Sequence, residues 1–319
     1  MKKLLPIISL LLGLTITGTV FAQAVRTITV IPPTIEQKLN PGQYAEGTLK
    51  VVNQTDQPVT FRATVQDYIV DNNEGVPHLL PPGTLSGKYS AAAWIGVSPE
   101  TFTLASGQKQ ELSYYMQVPS NGRPGGHYAA VIYTPVQSAA QQASGASVNA
   151  QVGTLFYITV NGPITESASI TKFITDKFHE FGPINIQTEI QNNGDLHIKP
   201  LGAIVLYDMF GRRSDISGLS EVNIFPGGVT RNYANRIGQN IMIGPYTAKL
   251  LASYGVNNNL PLSASISFFV FPWRIAIVII LLIVAAVLGY KYYEKRTKNK
   301  VNNKPEEQKP PQGPTIVKN

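Results

Sequence analysis

The sequence predicts an all-β protein: two tandem immunoglobulin-like β-sandwich domains followed by one transmembrane helix. Three observations carry this expectation. Short runs rich in β-branched and aromatic residues alternate with Gly, Pro, Asn and Asp clusters along most of the chain. Part of that pattern occurs twice. Near the C-terminus an apolar run ends directly in a basic cluster, Lys291-Tyr292-Tyr293-Glu294-Lys295-Arg296.

From the N-terminus, Met1-Lys2-Lys3, the apolar stretch Leu4 to Val20 and the small residue Ala22 have the layout of a signal peptide over residues 1–22. A retained N-terminal helix is the alternative, but the polar sequence after Ala22 lacks a stop-transfer pattern. The first sandwich is expected over 23–162, with strands in Thr27–Ile31, Gly47–Asn53, Val59–Tyr68, Gln110–Val118, Tyr128–Thr134 and Leu155–Val160. The second is expected over 163–270, with strands in 184–192, 202–210, Met242–Tyr254 and Leu262–Phe271. Regularly spaced short strands favour sandwiches over parallel sheets, which need crossover helices.

The duplication supports two copies of one plan. Val51-Val52-Asn53-Gln54-Thr55-Asp56 resembles Ile190-Gln191-Asn192-Asn193-Gly194-Asp195, each a strand ending in an Asn/Asp turn. Gly126-His127-Tyr128-Ala129-Ala130 resembles Gly244-Pro245-Tyr246-Thr247-Ala248. A Gly-x-Tyr-x-Ala entry to a strand suggests a tyrosine corner, the phenol folding back onto upstream backbone.

A transmembrane helix is expected over 271–290. Ile275 to Tyr290 carries no charge, and at about 1.5 Å per residue it needs Phe271-Pro272-Trp273 at the interface to approach a hydrocarbon core of about 30 Å. Arg274 can snorkel there. The competing reading is a buried core helix. The basic run that follows places the C-terminus in the cytoplasm by the positive-inside rule, and the preceding domains outside. Residues 291–319 read as a basic, disordered cytoplasmic tail, Pro-rich from Lys304 onward.

The formal net charge of +7 does not signal nucleic acid. Residues 1–22 hold two Lys and no acid, 291–319 hold eight basic and three acidic residues, and 23–290 hold 16 of each. The excess sits in targeting and topology segments, so no nucleic-acid partner is expected. With no cysteine, disulfides, thiolate nucleophiles and zinc-thiolate sites are excluded.

Chemistry is sparse. His78, His127, His179 and His197 are scattered without metal-ligand spacing. Ser106-Gly107 and Ser144-Gly145 lack the context of a nucleophile elbow. Asp67, Asp71 and Glu74 suggest calcium, but a polar hairpin suits their spacing better. Asn121-Gly122-Arg123-Pro124-Gly125-Gly126 reads as a turn rather than a phosphate loop, and Asn53-Gln54-Thr55 is a glycosylation triplet of no weight here. No catalytic, cofactor-binding or metal residue is expected, no cofactor is expected, and binding residues remain unassigned.

Function is then expected in loops and edges. Val70 to Ala93 is long for a sandwich connection and holds Pro77 and Pro81-Pro82-Gly83; its Leu79-Leu80 and Tyr89, leading to Trp94, read as a binding lip, with Trp94 itself assigned to the core. Val136 to Val152, a Ser/Ala/Gln/Gly segment between two strands, reads equally as a disordered loop or as one that acts. Open edge strands offer a second mode, accepting a strand from another protein.

Leu39-Asn40-Pro41-Gly42-Gln43, Val51-Val52-Asn53-Gln54-Thr55, Trp94-Ile95, Phe102-Thr103-Leu104-Ala105-Ser106-Gly107-Gln108, Val118-Pro119 and Gly125-Gly126-His127-Tyr128 resemble, in that order, the WxL-interacting proteins of Gram-positive-type cell surfaces. The resemblance implies a signal peptide, two immunoglobulin-like domains, one C-terminal span and a basic tail. It implies a non-enzymatic, membrane-anchored scaffold whose partners are a cell-surface or secreted protein, peptidoglycan, and the lipid bilayer through the helix. The same turn glycines, tyrosine and tryptophan are similar to those of pilus-chaperone-like sandwiches. Two alternatives follow: a wall-glycan binding module, and a strand-accepting assembly factor.

Overall fold

The computed structural model describes residues 28–85, 87–136 and 151–302, with side chains described as far as Arg296. The expected signal peptide, most of the 136–152 loop and the Pro-rich tail lie outside the described residues.

The first compact unit runs to Ser167 and includes two later segments, Asn192–Ile198 and Ile224–Thr230. Its strands are β1 (Ile28–Ile31), β2 (Thr34–Leu39), β3 (Tyr44–Asn53), β4 (Val59–Ile69), β5 (His78–Leu79), β6 (Ile95–Ser98), β7 (Thr101–Leu104), β8 (Lys109–Gln117), β9 (Gly125–Pro135) and β10 (Val152–Val160). One sheet has the order β1-β3-β8-β6; the other runs β2-β10-β9-β4-β5, with β7 also on β4. The period-2 pattern explains the packing. On β8, Leu112, Tyr114 and Met116 face inward while Glu111, Ser113 and Tyr115 face out. They meet Leu49, Val51, Phe61, Phe156 and Ile158, all fully buried, each worth about 1.5–3 kcal/mol on transfer from water.

Pro32-Pro33 lacks backbone donors, so the chain leaves the first sheet after β1 and restarts as β2 in the second. There β2 runs parallel to β10, Thr34 to Leu39 opposite Leu155 to Val160. The parallel pair needs no crossover helix, because the intervening strands of the sandwich make the connection.

The second unit contains β11 (Ala168–Ile174), β12 (Phe178–His179), β13 (Ile184–Asn192) up to Gln191, β14 (Leu201–Tyr207), β15 (Arg213–Gly218), β16 (Val229–Ile237) from Arg231 on, β17 (Gly244–Tyr254) and β18 (Leu260–Val270). Its sheets are β11-β13-β16 and β12-β18-β17-β14-β15. Both units are immunoglobulin-like sandwiches, and the helix α1 (Trp273–Asn302) follows β18.

Three expectations change. The 202–210 strand stops at Tyr207, because the Asp208 carboxylate accepts the N–H groups of Phe210 and Arg212 and closes a turn. The helix continues past Tyr290 to Asn302, since Lys, Glu and Arg are good helix formers and nothing breaks the run. Tyr128 is no tyrosine corner: its hydroxyl accepts the N–H of His197 at 3.0 Å rather than returning to upstream backbone. Tyr246 stacks on Phe268 instead.

The duplicated Asn turn has the same wiring in both places. The buried Asn53 amide donates to Gln57 O (2.8 Å) and Leu104 O (3.0 Å), and its oxygen accepts Thr55 N (3.0 Å). Asn192, equally buried, donates to Leu196 O (2.8 Å) and Ile224 O (2.9 Å), and accepts Gly194 N (2.9 Å).

Candidate functional site

On the outward face of the β4–β9 pair lies a groove of about 540 Å³. Its floor comes from alternation on β4: Phe61, Ala63 and Val65 turn to the core, so Arg62, Thr64 and Gln66 line one outward row. Thr134 lies opposite Arg62 in the ladder, and Pro135, Val136 and Gln151 continue the floor. The wall is Leu79, Leu80, Pro81 and Pro82. That segment is held by two ladder pairs, Tyr68 with Leu79 and Ile69 with His78, and by Leu80 N–H donating to Asp67 O at 2.9 Å.

The groove combines an apolar wall, two amides or hydroxyls within bonding reach of each other (Gln66 to Thr64, 3.2 Å) and one guanidinium. Arg62 is exposed, and no carboxylate pairs with it among the described residues. Such a surface suits an extended backbone with an acidic group. Among the described residues none that line it is aromatic, so they offer no platform on which a sugar ring would stack.

The sequence-derived lip divides. Leu79, Leu80 and the prolines reach the groove. Tyr89 does not: it packs beside Tyr128, ring centroids 6.3 Å apart, within an aromatic cluster of Tyr68, Tyr128, Tyr157 and Phe225 on another part of the same sheet face. Trp94 is half-buried against the first core and against His127, centroids 4.4 Å apart. Arg62, Thr64 and Gln66 were not singled out by sequence reasoning. Their only signal is the polar i, i+2, i+4 face of a strand whose opposite face is apolar.

The other candidates are structural. Asp67 is buried, and its carboxylate accepts the N–H groups of Ala91 (3.0 Å) and Ala92 (2.7 Å). Asn72 closes the polar turn by accepting Glu74 N and Val76 N. His127 is buried between two carbonyls, Nδ1 3.0 Å from Ser90 O and Nε2 2.8 Å from Arg123 O. Burial pushes its imidazole below the usual histidine range, against the pull of those carbonyls. No group of three or more His, Asp or Glu suited to a metal ion occurs among the described residues.

Edge-strand binding has limited room at β10. Leu155 to Val160 is flanked by β2 on one side and β9 on the other, leaving only Val152 to Thr154 with one ladder partner. The edges of the first sandwich are β1, β6, β2 and β5, with β7 paired on one side only, and those of the second are β11, β16, β12 and β15.

No family model matches this chain, and no curated protein matches it. Solved structures do. A class 5 fimbriae chaperone, CfaA, is 13% identical with a TM-score of 0.41, over 75% of this chain and 98% of that one. The chaperone CupB2 of Pseudomonas aeruginosa is 10% identical with a TM-score of 0.37, over 76% and 100%. The periplasmic chaperone SfaE is 9% identical with a TM-score of 0.35, over 77% and 100%.

Proposed function

We propose that this chain is a non-enzymatic binding protein, held at a bilayer by α1, whose first sandwich takes an extended segment of another protein in the Arg62–Thr64–Gln66 groove. The groove carries the reading. Its wall of Leu and Pro supplies apolar contact, Thr64 and Gln66 supply hydrogen bonds to a peptide backbone, and Arg62 selects a carboxylate. The absence of an aromatic platform among the lining residues favours peptide over wall glycan. The basic run after the apolar helix supports a cytoplasmic C-terminus, with both sandwiches outside. The motif order shared with WxL-interacting proteins supports a scaffold for a surface or secreted protein.

The test places a photo-crosslinking residue at Thr64 or Leu80 of the full chain in its native cells, with Ser113, exposed on the outer side of β8, as control. A discrete protein adduct at Thr64 and Leu80, lost with Arg62→Glu and absent at Ser113, is expected. Adducts to wall polymer instead would establish the glycan reading. Equal labelling at Ser113 would remove the groove from the mechanism.

A further inference from the structure

The second sandwich carries an apolar rim at one end, and the sheet register shows which end it is. β18 finishes at Val270, opposite Gly244 at the start of β17. Tyr207, the last residue of β14, pairs with Thr247 of β17 and with Arg213 at the start of β15. β12 lies beside Phe269 and Val270. The loops before β17, between β14 and β15, and after β12 therefore share the end from which α1 departs.

These loops expose large apolar side chains. Phe210 is 73% exposed, Ile241 67%, Ile243 56% and Phe181 41%, joined by Phe269 on β18 and Phe271 just after it. The loops are tied together rather than splayed. Gly182 N–H donates to Asn240 O at 3.2 Å, and Phe271 N–H donates to His179 O at 2.9 Å. Two carboxylates of this end are engaged with its arginines, Asp208 with Arg212 at 2.8 Å and Glu180 with Arg274 at 3.4 Å, and a third, Asp215 on β15, accepts the Gly238 N–H at 2.6 Å. The Arg212 guanidinium lies over the Phe210 ring at 4.9 Å, and that of Arg274 over Trp273 at 5.3 Å. The β17–β18 hairpin at the opposite end is Gly255-Val256-Asn257-Asn258-Asn259, mostly polar.

The tether leaves this rim little choice of neighbour. Only Phe271 and Pro272 separate β18 from α1, a reach of about 7 Å when extended. The polar region on each side of a bilayer core is itself only about 5–7 Å deep. If Trp273 and Arg274 lie at the interface, the loops around them lie there too, where exposed Phe and Ile side chains find apolar surroundings and Arg finds phosphate.

We propose that this end of the second sandwich is a lipid-docking surface, with the Phe210, Ile241 and Phe181 loops inserted among the headgroups around the helix entry. The domain is seated on the bilayer rather than swinging above it. This rests on α1 spanning a membrane, and the test separates the two claims.

The chain contains no cysteine, so single substitutions take a unique label. The full chain, carrying a polarity-sensitive fluorophore at Phe210→Cys, Ile241→Cys, Asn257→Cys or Ala286→Cys, is placed in phosphatidylcholine nanodiscs with and without lipids brominated near the headgroup end of the acyl chain. Labels at 210 and 241 are expected to emit to the blue of the label at 257 and to lose most of their emission to brominated lipid, while 257 loses none. Phe210→Glu should abolish the loss at 241 in the Ile241→Cys chain and leave the label of the Ala286→Cys chain in its apolar setting. Labels at 210 and 241 that match 257, with 286 still in an apolar setting, would overturn docking while preserving the span. Blue emission at 210 that bromine does not quench would assign the rim to protein contact and also overturn it. Solvent-like emission at 286 would remove the span and the docking together.

Discussion

Replacing Asn53 by Ala removes a hub that no neighbour can replace. The side chain is wholly buried and donates to Gln57 O (2.8 Å), Leu104 O (3.0 Å) and Ala105 O (3.3 Å), while its oxygen accepts Thr55 N (3.0 Å). Each of the three carbonyls and the Thr55 N–H loses a partner, at about 0.5–1.5 kcal/mol apiece. The sum over four bonds, roughly 2–6 kcal/mol, is a large part of the stability of an ordinary domain. Trp94 lies against this core, and the only other tryptophan is Trp273, so a Trp273→Phe background makes urea unfolding of the first sandwich visible by fluorescence. Asn53→Asp sharpens the test. It keeps the shape and the acceptor but turns a carboxylate oxygen toward carbonyls, so its acid should be held above the unfolded value of about 3.9. Stability is then greatest below that value and falls as pH rises through the folded pKa. A change under about 0.5 kcal/mol for Asn53→Ala, the ordinary scatter of surface substitutions, would refute the reasoning. So would an Asn53→Asp chain whose stability ignores pH.

Gly47 lies opposite Tyr114, and a Cβ there would come within 2.7 Å of the Tyr114 ring; Gly47→Ala should cost about 1–3 kcal/mol in the same urea assay, with part recovered by Tyr114→Leu. His127 is held below its ordinary 6.5 chiefly by burial, so the unfolded chain takes up the proton first. Its contribution should be complete above that value and decline as pH falls toward the folded pKa, a limb missing from the His127→Gln difference curve. The Asp195 carboxyl is held below 3.8, first by the Thr165 N–H and then by Arg123 and Lys88, so its share of stability persists above that value and is lost on further acidification. Asp195→Asn should flatten that acid limb in a pH titration of unfolding.

The strands that were legible in the sequence are those whose inward faces carry large apolar groups. Ile184 to Asn192 reads directly because Ile184, Ile186 and Ile190 alternate with polar residues, and all three are fully buried. β16 was expected after the Phe225-Pro226-Gly227-Gly228 turn but without bounds, because its inward residues are Tyr233, Asn235 and Ile237, an alternation too polar to delimit it. β2 was hidden behind Pro32-Pro33, and its parallel partner lies far along the chain. The duplicated Asn turns were legible because a turn is local, although the partners Leu104 and Ile224 were not. The Gly-x-Tyr motif misled for the same reason: a phenol's partner depends on what packs against it, and Tyr128 meets His197. The groove sits between these cases. Leu79 to Pro82 announced themselves as a long loop, but their juxtaposition with Arg62 and Thr134 depends on how β4, β5 and β9 pair.

The two Asn hubs bear on how a cysteine-free sandwich holds its strands. A disulfide would act mainly on the unfolded chain, restricting it whether or not the core has formed. Asn53 links the end of β3 to carbonyls 51 and 52 residues further on, and Asn192 reaches a carbonyl 32 residues on. Neither link constrains the unfolded chain, because each exists only where the surrounding strands exclude water and fix the carbonyls. Their stabilisation therefore disappears with the packing that creates it, which makes loss of either hub a cooperative event and not a local loosening. Amide exchange of Thr55 and Gly194, whose N–H groups bond to the hub oxygens, should accordingly follow global unfolding of their own sheets. If those amides exchanged as fast as free turns while the β8 and β13 amides stayed protected, the hubs would be accessories to folds held by the apolar core alone.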